Sequence, residues 1–208
     1  MKKKNLEILL QQIPPPDIPQ INFEQYLTPA HIAADILWHA HYNGDISGKT
    51  VVDLGCGTGI FTLGAAILDA KNAIGIDIDE NLIDKARQAA EKLGVPAVFH
   101  AMHINDYTEH TDTVVMNPPF GAQHANRKAD SMFVQHALSI AKTIYSLHLE
   151  NSVAFIVTLI KKNGWVINNL KNYHFSMKAS YSFHKKKRLS FDVVLIHAYH
   201  TTAMPQLR

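Results

Sequence analysis

The stretch Thr50-Val51-Val52-Asp53-Leu54-Gly55-Cys56-Gly57-Thr58-Gly59 restricts the possible folds more than any other part of the chain. Its apolar, β-branched opening reads as a buried strand. The strand ends on an acid and then on glycines at every second position. There the backbone can turn sharply and approach a ligand that a Cβ would obstruct. Ile60-Phe61-Thr62-Leu63-Gly64-Ala65-Ala66-Ile67-Leu68 follows and reads as a helix. A strand, a glycine loop and a helix make the first unit of a nucleotide-binding α/β domain, with the ligand above the loop.

Similar units repeat along the chain. Ala73-Ile74-Gly75-Ile76-Asp77 predicts a second buried strand, and Asp79–Leu93 its helix. Ala97–Met102 predicts a third strand with His103-Ile104-Asn105-Asp106 as its carboxyl-end loop. A fourth, Thr111–Met116, runs into Asn117-Pro118-Pro119-Phe120-Gly121. A helix over about Asp130–Thr143, a strand over Thr143–Leu149 and a crossover helix over Asn151–Asn163 come next. Val166–Ser176 and Leu189–His200 then pair antiparallel. The sum is an α/β, Rossmann-like, seven-stranded sheet, mostly parallel with an antiparallel last strand and helices on both faces.

Ahead of this, residues 1–12 read as a short basic amphipathic helix. Pro14-Pro15-Pro16 and Pro19 then impose an extended linker. The expected organisation is a helix and linker over 1–22 and one domain over 23–208, with Thr28 as a helix N-cap and Pro29 in its first position.

With 47% hydrophobic and 18% charged residues the chain is not wholly disordered. The single cysteine excludes an internal disulfide framework. No apolar stretch reaches the roughly 18 residues of a membrane helix, and Met1-Lys2-Lys3-Lys4 leads into no signal core. A soluble, cytoplasmic protein without membrane association is expected. The 13 histidines are scattered, without the cysteine or carboxylate set that a metal site needs, so no metal is expected. A net charge of +2 is too small to establish a nucleic-acid partner, and the placing of charge matters more.

Two strand ends carry chemistry. Asp77 sits 24 residues after Asp53, the spacing at which a strand-end carboxylate accepts from a ribose diol; a plain helix cap would use the same residue. In Asn117-Pro118-Pro119-Phe120, two prolines fix two φ angles and remove two donors. The carbonyls are left to accept, Asn117 adds a side-chain oxygen, and Phe120 adds a flat face. Such a loop suits a planar amine, although it is also a rigid turn. Holding both N–H groups of an adenine amine favours a pyramidal nitrogen and stabilises the charge that grows as it attacks a methyl carbon. Elsewhere, Lys185-Lys186-Lys187-Arg188 beside Tyr181 and Phe183, with Arg127 and Lys128, suits a nucleic-acid backbone and a stacked base; such a run is also a common solvated turn. An adenine to be modified must be single-stranded or flipped.

Glu24-Gln25-Tyr26-Leu27-Thr28, Asn117-Pro118-Pro119-Phe120-Gly121, Tyr145-Ser146-Leu147-His148 and Phe183-His184-Lys185-Lys186-Lys187 occur in an order that resembles the methyltransferase-like-five family. This is a group of class I methyltransferases, and the likeness covers nearly the whole chain. The resemblance implies S-adenosyl-L-methionine as cofactor and methylation of the 6-amino group of an adenosine in small-subunit ribosomal RNA. It implies that Gln25 and Thr28 close over the cofactor, that Gly55, Thr58 and Ile60 line its methionine and ribose region, and that Asp77 holds the ribose; Asp53 and Gly57, in the same stretch, are further cofactor-binding candidates. Asn117, Pro118, Pro119 and Phe120 would form the catalytic loop. It also implies a small zinc-containing activator protein, paired along a sheet edge as a heterodimer. One position departs: the family's aspartate beside the adenine amine is replaced by His103, with Ile104 following. Either the imidazole accepts that hydrogen bond or Asp106 substitutes. Alternative readings are amino-group methylation of DNA adenine or protein glutamine, and a non-catalytic RNA-binding assembly factor.

Overall fold

The computed structural model describes residues 1–16, 27–119, 129–178 and 188–201. Seven strands form one sheet: β1 (Thr50–Leu54), β2 (Asn72–Asp77), β3 (Val98–Ala101), β4 (Thr111–Met116), β5 (Ala141–Leu149), β6 (Trp165–Lys178) and β7 (Arg188–His200). Their spatial order is β3-β2-β1-β4-β5-β7-β6. The first five are mutually parallel, and β7 enters antiparallel between β5 and β6. Being antiparallel to β7, β6 runs the same way as β5. The expected fold class is therefore the observed one.

Some boundaries differ from expectation, for identifiable reasons. The helix expected to reach Thr143 stops at Ile140, because Ala141 pairs with Thr111 and Thr143 with Thr113. Sheet pairing takes residues that helical spacing claimed. The third strand contracts to Val98–Ala101. The crossover after β5 is a helix, with Ile156 and Ile160 buried four residues apart and Gly164 ending it at φ +80°.

Strand residues alternate between two apolar layers. Val51, Tyr145 and Leu147 face one layer with α1 (Lys3–Leu10), α2 (Ala30–Tyr42), α3 (Ile60–Ile67) and α4 (Glu80–Leu93). Val52, Leu54 and Ile144 face the other, with α5 (Ala129–Ile140) and α6 (Val153–Lys162). None of these helices is long and apolar enough to cross a membrane, among the described residues.

α1 packs into the first layer. Leu6 and Leu10, one helical turn apart, are fully buried, and Ile13 follows them in. Space for this comes partly from Gly64 on α3, where a Cβ would lie 2.3 Å from Leu37 Cδ1 and 3.3 Å from Leu10 Cδ2. A polar clasp closes the same side. Asp35 of α2 accepts from Lys3 Nζ at 2.8 Å, Lys171 Nζ at 2.5 Å and Tyr173 Oη at 2.7 Å. Partial burial pushes that carboxyl up, but these hydrogen bonds outweigh it and hold the group well below the usual carboxylate range. Leu6→Ala is expected to cost about 2–5 kcal/mol of stability, the range for a fully buried leucine. A urea melt should show a lower midpoint with a single transition. An unchanged midpoint would mean that α1 is energetically dispensable.

Candidate active site

β1 delivers Asp53 to the carboxyl rim of the sheet, and the glycine loop then curls with Gly55, Gly57 and Gly59 at φ +71°, +54° and +88°. Only glycine adopts such angles without strain. The loop is held by β2. The N–H groups of Gly55 and Cys56 donate to Ile76 O at 2.8 and 2.9 Å. Gly57 N donates to Asp77 Oδ2 at 2.8 Å, and Asp79 N donates to Asp77 Oδ1 at 3.0 Å. Asp79, whose side chain accepts from Asn81 N, is the cap of α4. Asp77 thus joins the glycine loop to the β2–α4 turn.

Asp53 points the other way, into α3. Its Oδ2 accepts from Thr62 N at 3.0 Å and Thr62 Oγ1 at 2.9 Å. Gly75 makes this possible, since a Cβ there would sit 2.8 Å from Thr62 Oγ1 and 2.6 Å from Phe99. Asp53 Oδ1 and Thr58 Oγ1 are buried without a hydrogen-bond partner among the described residues. Burial pushes the Asp53 carboxyl up to about 7, and neighbouring Asp77 adds to the shift. Burial raises Asp77 as well.

β4 ends at Met116 beside this loop. Asn117 follows, and its Nδ2 donates to Thr28 Oγ1 at 3.1 Å. Thr28 is not the helix cap that the sequence predicts: α2 begins at Ala30 with Pro29 in the cap position. The threonine hydroxyl instead orients the asparagine amide. Pro118 is buried behind the rim and Pro119 faces the cavity.

A cavity of ≈ 290 Å³ lies over this rim. Glycine-loop residues Gly55, Gly57 and Thr58 form its floor, with Asp53 and Ile60. Asp77, His103 and Ile104 line one side, and Thr28, Asn117 and Pro119 another. The rim thus gathers the predicted cofactor and catalytic residues that the structure describes, apart from Pro118. Gln25, Phe120, Arg127, Lys128, Phe183 and Lys185 to Lys187 lie outside the described residues. Arg188 opens β7, far along the sheet from Gly55 in strand order. Sequence reading missed the apolar walls: Ile78, Leu82 and Met102 on one side, Phe61, Met132 and Phe133 on the other. Ile78 was legible as an apolar residue just beyond a strand-end acid; it stays 61% exposed at the mouth, unlike a core side chain.

A buried carboxylate with an unpaired oxygen, Asp53, and a half-buried one, Asp77, suit a ligand that carries positive charge and hydroxyl donors. The comparisons agree with that chemistry. A family model described as a methyltransferase domain matches residues 45–169. The rRNA N(6)-adenosine-methyltransferase METTL5 of Danio rerio is 40% identical, over 94% of this chain and 98% of its own. The chain belongs to the METTL5 family. The corresponding Drosophila melanogaster enzyme is 33% identical over 93% of this chain and 94% of its own. Among solved structures, a proposed RNA methyltransferase of Pyrococcus horikoshii superposes with a TM-score of 0.85 at 30% identity, covering 96% of this chain and 98% of that one. This METTL5-family chain is an S-adenosylmethionine-dependent methyltransferase.

The raised Asp53 has a measurable consequence. An unfolded aspartate ionises near 3.9. Between about pH 4 and 7 the folded chain keeps a proton that the unfolded chain has lost, so the ligand-free protein loses stability as pH rises through that window. A cationic ligand favours the carboxylate and opposes this loss. Calorimetric affinity for S-adenosylmethionine should therefore climb roughly tenfold from pH 6 to about 8 and level off beyond that. Asp53→Asn should flatten the profile. A flat profile in the wild-type protein would remove Asp53 from the charge balance of the site.

Proposed function

We propose that this chain transfers a methyl group to the exocyclic 6-amino group of an adenosine in ribosomal RNA, that of the small subunit. The observation that carries the reading is the Thr28–Asn117 hydrogen bond on the cofactor rim. By taking Nδ2, Thr28 assigns the acceptor role toward an amine to Asn117 Oδ1. The backbone oxygen of Pro118 is the second acceptor, and the paired prolines keep the two at a fixed spacing. Both N–H bonds of the target amine are then held, and the charge developing on its nitrogen meets two oxygens already in place. Bound S-adenosylmethionine supplies an electrophilic methyl group. Most of the rate comes from aligning the amine with that methyl. Gln25 closes the cofactor side, and Phe120 stacks on the target base.

RNA approaches along the β6–β7 arm. β5 pairs with β7 only as far as Leu149 opposite Val193. Five further pairs, His174–Asp192 to Lys178–Arg188, carry the hairpin roughly 17 Å past that point at the usual rise per residue. Because β6 runs parallel to β5, this extension lies on the rim that carries Asn117. The chain leaves the arm at Lys178 and returns at Arg188, directly after Lys185-Lys186-Lys187. These cations, with Phe183, Arg127 and Lys128, contact phosphates and a splayed base. A small zinc-containing activator protein completes the reading, paired along one of the two sheet edges, β3 or β6. Cytoplasmic residence fits this substrate.

Asn117→Ala should reduce N(6)-methyladenosine formation in ribosomal RNA by about 10²-fold or more, read by mass spectrometry of nucleosides, while S-adenosylhomocysteine affinity stays within about threefold. Equal methylation by both proteins would sink the role of Asn117. Methylation confined to DNA adenine or to glutamine would replace the substrate. Replacing Lys185, Lys186 and Lys187 together by alanine should weaken RNA binding and lower its log–log salt slope by about 2–3, with kcat at saturating RNA unchanged. An unaltered salt slope would take these lysines out of the interface.

A further inference from the structure

Beyond Asp77 the cavity continues as an apolar slot walled by Ile78, Leu82, Met102 and Ile104, suited to a flat purine. With the ribose at Asp77, the purine edge turned away from the sugar is the one bearing N1 and the 6-amino group. His103 lines this end of the slot. Asp106, the nearby carboxylate, is exposed and lies outside the cavity wall.

The protonation pattern of His103 is set by its own turn. Its Nδ1 accepts the backbone N–H of Asn105 at 3.2 Å, capping the short 3-10 turn Ile104–Asp106. A ring nitrogen that accepts an amide proton carries none, so the proton of the neutral imidazole sits on Nε2. The nitrogen left to a ligand is therefore a donor, and it cannot accept from an amine. We infer that His103 reads the cofactor's adenine as a hydrogen-bond donor, Nε2–H onto ring nitrogen N1, and takes no hydrogen bond from the 6-amino group.

This rests on the cavity being the S-adenosylmethionine site. A consequence follows for selectivity. An acceptor at this position would require the amino group, whereas a donor requires N1 and is indifferent to what the neighbouring carbon bears. The chain should thus discriminate among purines by the ring nitrogen.

Binding of S-adenosylhomocysteine, its 1-deaza counterpart and its 6-deamino counterpart, measured by calorimetry on wild type and His103→Ser, tests this without turnover. Serine keeps an acceptor over Asn105 and is too short to reach the base, so the turn survives. Loss of N1 should weaken binding about five- to tenfold in the wild-type protein and hardly at all in His103→Ser. Loss of the 6-amino group should change affinity by the same factor in both proteins. Dependence of the 6-deamino effect on His103 would overturn the inference, as would independence of both effects from His103. Failure of S-adenosylhomocysteine itself to bind would be a different result, removing the cofactor assignment beneath it.

Discussion

The Asp77 carboxylate is the tie on which the site depends. One oxygen takes the Gly57 N–H and the other the Asp79 N–H, so a single side chain joins the glycine loop to the turn that opens α4. Ile76 O takes two more loop donors. The loop therefore owes its shape to the neighbouring strand and is formed before a ligand arrives. That shape sets two carboxylates, Asp53 and Asp77, close enough at adjacent strand ends for the charge of Asp77 to bear on Asp53. Burial raises both, and a positively charged ligand relieves what the fold alone leaves strained. The acidic character of the cavity floor is thus a property of the loop's own scaffolding.

The insertion of β7 between β5 and β6 shapes the same rim of the sheet further along. Had β6 simply added to β5, the sheet would end level with the rim. A long antiparallel pair can instead outrun its neighbour, since β7 needs β5 only over Val193 to Tyr199. Phe175, buried and 5.5 Å from Phe191 between ring centroids, fastens the base of that extension to the α1–α2 layer. The cavity rim and the extended part of the β6–β7 pair are consequently built on one sheet.

Much of this was legible in the sequence where one residue type has one physical use. Alternate glycines demanded positive φ, two prolines demanded a stiff strand end, and buried β-branched runs demanded parallel strands. Legibility failed where two uses compete. Thr28 before Pro29 is a good helix cap by local rules, yet its hydroxyl serves Asn117, 89 positions away. Ala141 and Thr143 continue a helical pattern until pairing with β4 claims them. The apolar cavity walls looked like core, because nothing local distinguishes a methionine facing a ligand from one facing a leucine. The tautomer of His103 needed the backbone of Asn105, and no spacing rule supplies that.

Tyr145-Ser146-Leu147-His148 shows how a motif divides its work between two faces. Tyr145 and Leu147 turn toward α2, where the tyrosine hydroxyl donates to Asp45 at 2.6 Å and its ring stacks on His197 at 4.2 Å. Ser146 and His148 turn the other way. The serine Oγ lies 2.6 Å from His148 Nε2, and His148 Nδ1 lies 2.6 Å from Asp130 Oδ1 on the first turn of α5. All of this is buried inside an apolar layer, where an unmatched polar group costs about 1–3 kcal/mol. The approach of Asp130 to His148 depends on the placement of α5, because sliding the helix by a turn would strand the aspartate. Apolar contacts alone would tolerate such a slip. Since Met132 and Phe133 lie within the next turn of α5 and line the cavity, the buried serine–histidine–aspartate line anchors the helix that carries that wall.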